Sequence, residues 1–170
     1  MLIFLIGMPG SGKSTLSKSL SAKLHLHNVD LDAEIVKKEK KTIEEIFKEH
    51  GEAYFRELER DAVRQACLLD NAIVSTGGGA PCFFDNMRDM KAAGVTIFLN
   101  VPIEVLASRM KAQDPNRPML KDKSAEELKA FLNQKIQDRA PYYKSSAITI
   151  DGADIGEEDI ISALKKAGYL

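Results

Sequence analysis

Tryptophan is absent from this 170-residue chain, and cysteine occurs only at Cys67 and Cys82. Two cysteines match no metal-ligand spacing and cannot frame a disulfide miniprotein, so reduced core thiols of a cytoplasmic protein are expected. Charge of one sign is also lacking. Lys plus Arg is 24 against 25 Asp plus Glu, a net charge of −1. A generic nucleic-acid binder carries a basic excess, and none exists here. No apolar run approaches the roughly 18 residues of a membrane span. The apolar opening Met1 to Ile6 is too short for a signal peptide and lacks a basic flank, so neither membrane nor export is expected. Repeats, low-complexity tracts and linkers are missing as well. What remains is 44% hydrophobic and 29% charged, enough to bury one core, and a single domain over 1–170 is expected.

Short apolar runs alternate with longer segments of helical period, the pattern of an open, mainly parallel α/β sheet. The runs predict strands at Leu2–Ile6, His27–Asp30, Ala72–Ser75, Val95–Asn100 and Ala147–Asp151. Leu16, Leu20 and Leu24 form an i, i+4 stripe on the first helix. Thr42 with Glu45, and Ser124 with Glu127, are capping boxes, while Gly51, Gly94 and Gly168 suit helix stops. Glu52 to Leu69 carries Phe55, Leu58, Ala62, Ala66 and Leu69 on one face. Between Lys111 and Lys123 periodicity is lost, and Pro115 and Pro118 occur. A polar loop of that length in a compact domain is a candidate lid.

The strongest motif is Gly7-Met8-Pro9-Gly10-Ser11-Gly12-Lys13-Ser14, which fits G-x-x-x-x-G-K-[ST] between an apolar strand and an amphipathic helix. Glycines let backbone N–H groups turn inward around phosphate oxygens, and the helix adds its positive N-terminal end. Lys13 is then placed for the β- and γ-phosphates and Ser14 for Mg²⁺. The motif predicts a nucleoside triphosphate site.

Asp30 and Asp32 close the second strand, where ligands of open α/β sheets bind. One carboxylate can hold Mg²⁺ through water and the other can accept a hydroxyl proton. The alternative is that Asp32 only caps a helix starting near Ala33. Arg56, Arg60 and Arg64 lie at i, i+4 spacing with Glu52 placed to pair with Arg56. For Arg60 and Arg64 a surface salt-bridge ladder is the expectation. Arg117 in the polar loop and Arg139 before Pro141 have no local partner in sequence. Gly77-Gly78-Gly79 follows a strand, which suits either a ligand on bare backbone or a tight turn. His25 and His27 lack a third ligand and read as ordinary histidines. Tyr142-Tyr143 is expected to pack the base of a helix rather than stack on a base.

Together these residues resemble the shikimate kinase family. The resemblance runs over nearly the whole chain. It rests on the P-loop, Asp30-x-Asp32, Gly51-Glu52-x-x-Phe55-Arg56-x-x-Glu59, Gly77–Gly79, Arg117-Pro118-Met119-Leu120 and Arg139-x-Pro141-x-Tyr143. It implies a three-layer α/β/α P-loop kinase fold with a five-stranded parallel sheet in the order 2-3-1-4-5 and a mobile lid at about 111–123. It further implies transfer of the γ-phosphoryl of MgATP to the 3-hydroxyl of shikimate, with Mg²⁺ as cofactor, ATP and shikimate as partners, and a monomer. On that pattern Gly10, Ser11, Gly12, Lys13, Ser14 and Thr15 wrap the phosphates, with Arg109 at the adenine and Arg117 closing onto the phosphates. Asp32, Arg56, Gly77, Gly78, Gly79 and Arg139 hold shikimate, and Glu59 orients Arg56. Ser14 and Asp30 serve the metal, and Lys13, Asp32 and Arg117 are catalytic. Two other readings share the motifs: a different small-molecule kinase, such as a gluconate kinase, and an ATP-binding regulator without catalysis.

Overall fold

The structure is a computed structural model that describes residues 1–113 and 123–170. Five parallel strands form one sheet in the order β2-β3-β1-β4-β5, as expected. They are β1 (Leu2–Ile6), β2 (His27–Asp30), β3 (Ala72–Ser75), β4 (Val95–Asn100) and β5 (Ile148–Asp151). All of β1 and β3 and most of β4 are buried on both faces, so their sequences are mostly apolar rather than alternating, with Ser75 and Thr96 the buried hydroxyls. The edge strands β2 and β5 are only partly covered, and polar side chains survive there. β5 starts one residue later than expected because the Ala147 N–H bonds the Thr96 hydroxyl at 3.0 Å instead of joining the ladder.

Helices cover both faces of the sheet. α1 (Lys13–Leu24) leaves the P-loop and buries Leu16 and Leu20 against the core. α2 is Leu31–Glu39, and its cap corrects one expectation: Asp30, not Asp32, accepts the Ala33 N–H, at 3.1 Å. The helix begins at Leu31, so Asp32 lies in its first turn with a carboxylate that caps nothing. α3 (Ile43–Ala66) opens with the Thr42–Glu45 capping box and is interrupted at Gly51, where φ is +79° and ψ 178°. α4 (Asn86–Ala93) ends at Gly94, and α5 is Ile103–Gln113. α6 (Ala125–Tyr143) opens with the Ser124–Glu127 capping box, and α7 is Glu157–Lys166.

The main core lies around β1, β3 and β4. A small satellite cluster of Ile35, Ile46 and Phe55 joins α2 to α3. Among the described residues no helix is long and apolar enough to cross a membrane. The expected lid falls for most of its length outside the described residues, and Arg117 with it.

Candidate active site

The carboxyl ends of β1, β2 and β3 stand side by side, since Leu5 pairs with Ser75 and Asp30 pairs with Ser75 across the ladder. That register alone brings three sequence-distant segments to one place. The P-loop leaves β1 with Gly10 at φ +82° and Gly12 at φ +91°, values a side chain resists. Lys13 folds back over the loop and donates to the carbonyls of Gly7 and Met8, both at 2.9 Å. Burial pushes its pKa down to about 8, aided by Arg139 and opposed by Asp32 and Asp30.

Ser14, Asp30 and Ser75 form the second group. The hydroxyls of Ser14 and Ser75 donate to Asp30 Oδ2 at 2.7 and 2.8 Å. Burial works against the charge on Asp30, but bonds from Ser14, the Ala33 N–H and Ser75 outweigh it and hold the carboxyl below its usual range. Two hydroxyls and one ionised carboxylate are hard oxygen donors, the set that suits Mg²⁺ shared with substrate phosphates. The residues present therefore fit that ion. Among the described residues no cluster of three or more His, Cys, Asp or Glu side chains competes with it.

The third group surrounds Gly77–Gly79. A Cβ on Gly77 would lie 2.7 Å from Glu59 Oε1 and 3.2 Å from Asp32 Oδ1. On Gly78 it would meet Arg139 Nη1 at 2.9 Å, and on Gly79 Arg56 Nη1 at 2.6 Å. Gly77 and Gly79 thus leave room for Glu59 and Arg56, while at Gly78 a Cβ would also meet Pro9 Cδ at 2.8 Å. Arg56 donates to Glu52 through Nε and Nη2, at 3.3 and 3.1 Å, and to Glu59 through Nη1 at 2.8 Å. Among the described residues two of its five N–H donors stay unused. Glu59 is only 1% exposed; burial raises its pKa, and Arg56 opposes that shift. Asp32 is likewise raised, first by burial and then by Asp30, against the pull of Lys13 and Arg56. Arg139 reaches Met8 Sδ at 3.5 Å and has no carboxylate partner among the described residues. Arg109 lies on the far side of the P-loop, donating to the Gly10 carbonyl at 3.2 Å and to the Ala153 carbonyl at 3.0 Å. A groove of about 900 Å³ between α2 and α3 contains none of these residues, and the chemistry is not there.

The family model of shikimate kinase matches residues 9–167. A shikimate kinase of Parabacteroides distasonis is 42% identical over 96% of this chain and 97% of its own length. The chain belongs to the shikimate kinase family. Among solved structures, the shikimate kinase of Bacteroides thetaiotaomicron superposes with a TM-score of 0.88 at 40% identity, covering 98% of this chain and 95% of that one. The Acinetobacter baumannii shikimate kinase in complex with shikimate gives 0.85 at 29% identity, covering 97% and 90%. This kinase is thus an ATP-dependent enzyme that phosphorylates shikimate.

Several residues around the kinase site escape sequence reasoning. Ser75 is one, although a hydroxyl closing a buried apolar strand beside the P-loop strand is a usable signal. Tyr143 is another. It packs on Phe98 as a core residue should, at 4.9 Å between ring centres, yet its hydroxyl also donates to the Gly78 carbonyl at 2.6 Å. Arg60 departs from the surface-ladder expectation in part. It pairs with Glu57 at 2.6 Å but also stacks on the Phe84 ring at 4.6 Å, while Arg64 is exposed. Cys67 and Cys82 are free and only half-buried, and burial raises both thiols to about 11.

Proposed function

We propose that the chain, as one domain over 1–170, transfers the γ-phosphoryl of MgATP to the 3-hydroxyl of shikimate with the following division of labour. Gly10, Ser11, Gly12, Lys13, Ser14 and Thr15 bind the phosphates, Arg109 borders the adenine, and Ser14 and Asp30 hold Mg²⁺. The bound ion supplies charge neutralisation at the β- and γ-phosphate oxygens. Arg56 and Arg139 grip the acceptor carboxylate against Gly77, Gly78 and Gly79, and Glu59 orients Arg56. Asp32 aims the acceptor hydroxyl and takes its proton. The hydroxyl oxygen bonds to the γ-phosphorus as the bond to the β–γ bridging oxygen breaks, and ADP leaves with that electron pair. Lys13 and Arg117 stabilise the charge on the transferring group, with Arg117 on a lid at about 111–123.

One observation carries this reading. Three successive bare glycines place Asp32 with Glu59, Arg139, and Arg56 on one short backbone stretch beside the P-loop. Two cations and two carboxylates meet there, and with Glu59 already spent on Arg56, the two arginines and Asp32 suit a small anionic alcohol and not a neutral sugar. The test is ADP release from ATP with shikimate, with gluconate and with no acceptor. Release that needs shikimate is expected, with loss of that dependence at low shikimate in Arg139→Ala. Equal release in all three arms of the parent enzyme removes the reading.

A further inference from the structure

Arg56 carries a contact that the hydrogen-bond scheme does not use. Its guanidinium carbon lies 4.1 Å from the centre of the Phe83 ring. One turn further along α3, Arg60 lies 4.6 Å above the ring of Phe84. Two consecutive aromatic residues therefore cover two arginines one helical turn apart. The backbone is bent to do so, because Phe84 has φ +51°, a left-handed value that is uncommon for a bulky side chain. The segment that presents the rings is stiff. The Ala80 N–H bonds the Gly77 carbonyl at 3.1 Å, the Cys82 N–H bonds the Gly79 carbonyl at 2.9 Å, and the buried Asn86 side chain holds the Ala80 carbonyl at 2.8 Å.

We propose that Phe83 is a positioning residue that fixes the plane of the Arg56 guanidinium for the acceptor carboxylate, a role that rests on the carboxylate reading of Arg56. Hydrogen bonds to Glu52 and Glu59 lie in the plane of the guanidinium and fix where it sits. They leave it free to tilt about the line joining the two carboxylates. A ring against the face opposes that tilt. A carboxylate held by two parallel N–H bonds must lie in the same plane, so a tilt misaims both bonds at once. The Arg60–Phe84 stack locks the register of the 79–85 segment on α3, which keeps the Phe83 ring opposite Arg56 and not half a turn away. Arg60 is held by that ring contact on its face and by the Glu57 ion pair at 2.6 Å in its plane.

The test compares shikimate KM, ATP KM and kcat in Phe83→Leu, Phe83→Tyr, Arg56→Ala, and Phe83→Leu placed in an Arg56→Lys background. Leucine fills much of the space without an aromatic face; tyrosine keeps the face. Phe83→Leu is expected to raise shikimate KM about 3- to 30-fold, the range of a partly desolvated cation–π contact, with ATP KM and kcat held within about 2-fold. Phe83→Tyr restores the parental KM. In the Arg56→Lys background, where no guanidinium plane exists, Phe83→Leu changes shikimate KM by less than about 2-fold. Should Phe83→Leu fail to fold by circular dichroism, Phe83→Met is read in its place. An unchanged shikimate KM in Phe83→Leu, or a parallel rise in ATP KM, overturns the positioning role while Arg56→Ala still raises shikimate KM. An unchanged KM in Arg56→Ala removes the carboxylate reading, and this proposal with it.

Discussion

Lys13 is held where the fold alone would not put a charge. It is buried, and burial lowers its pKa to about 8, so its ammonium opposes folding in the free protein. In the unfolded chain the same group titrates at 10.5, so between about 8 and 10.5 the unfolded state binds more protons. Stability contributed at this site therefore rises as pH climbs through that window and is lowest below it. Lys13→Met is expected to remove turnover by about 100-fold or more while unfolding at equal or higher urea than the parent. That gain is largest below pH 8 and shrinks towards pH 10, which paired urea titrations at the two pH values measure; a destabilised mutant at pH 7 refutes it. Asp32 shows the opposite tuning. Burial and the neighbouring Asp30 raise its pKa, and the proton-accepting role proposed for it needs the ionised form. Activity should thus fall on acidification at a pH above the ordinary carboxylate value, and Asp32→Asn should lower kcat by about 100-fold or more, with the residual activity free of that acid limb. A pH–kcat/KM profile with its acid limb at the ordinary value contradicts the assignment.

At the scale of elements, what decides the site is where each segment stops. Gly51 breaks α3 with φ +79° and ψ 178°, a region essentially confined to glycine, and no atom crowds it. Gly51→Ala is therefore a pure backbone test: a loss of about 1–3 kcal/mol is expected, read as a lower urea midpoint at unchanged slope. No loss would mean that the break relaxes at little cost. The break was legible in sequence because a capping box at Thr42 and a glycine bracket two turns of helix. Strands β1, β3 and β4 were legible for a similar local reason, since a buried, mostly apolar run between turns has few other readings. The helix cap was not. Asp30 and Asp32 are equivalent by residue type, and only the start of α2 at Leu31 decides that Asp30 caps while Asp32 faces the glycines. Tyr143 and Phe83 were illegible for a different reason. Their site partners, Gly78 and Arg56, are brought to them by tertiary packing, and no periodicity encodes a contact between separate elements. The P-loop is the contrary case, because its chemistry is local and its spacing carries it entire.

Over the whole molecule, the proposed acceptor site draws its residues from two packed clusters of unequal size. Lys13, Ser14 and the glycine triplet hang on β1 and β3, in the fully buried main core. Arg56 and Glu59 lie on α3 between Phe55, in the small cluster with Ile35 and Ile46, and Val63, in the main core. Few buried apolar side chains mean a low free energy of local opening, so the two clusters should not open together. Amides of Ile46 and Phe55 are expected to exchange through an opening at least about 2 kcal/mol easier than those of β1 in native-state hydrogen exchange. Ligands should then act differently on the two. Shikimate held as proposed, between Arg56 and the glycine triplet, would tie α3 to β3, and any opening that separates them would first have to release it. ATP on the P-loop makes no such tie. Saturating shikimate should therefore raise protection at Ile46 and Phe55 by RT ln(1 + [L]/Kd), about 2.7 kcal/mol at 100 times Kd, whereas ATP alone leaves them near their free values. Exchange at Ile46 and Phe55 in step with β1 in the free enzyme would make the two clusters one cooperative unit. Equal protection by ATP and shikimate would place the acceptor elsewhere than on α3.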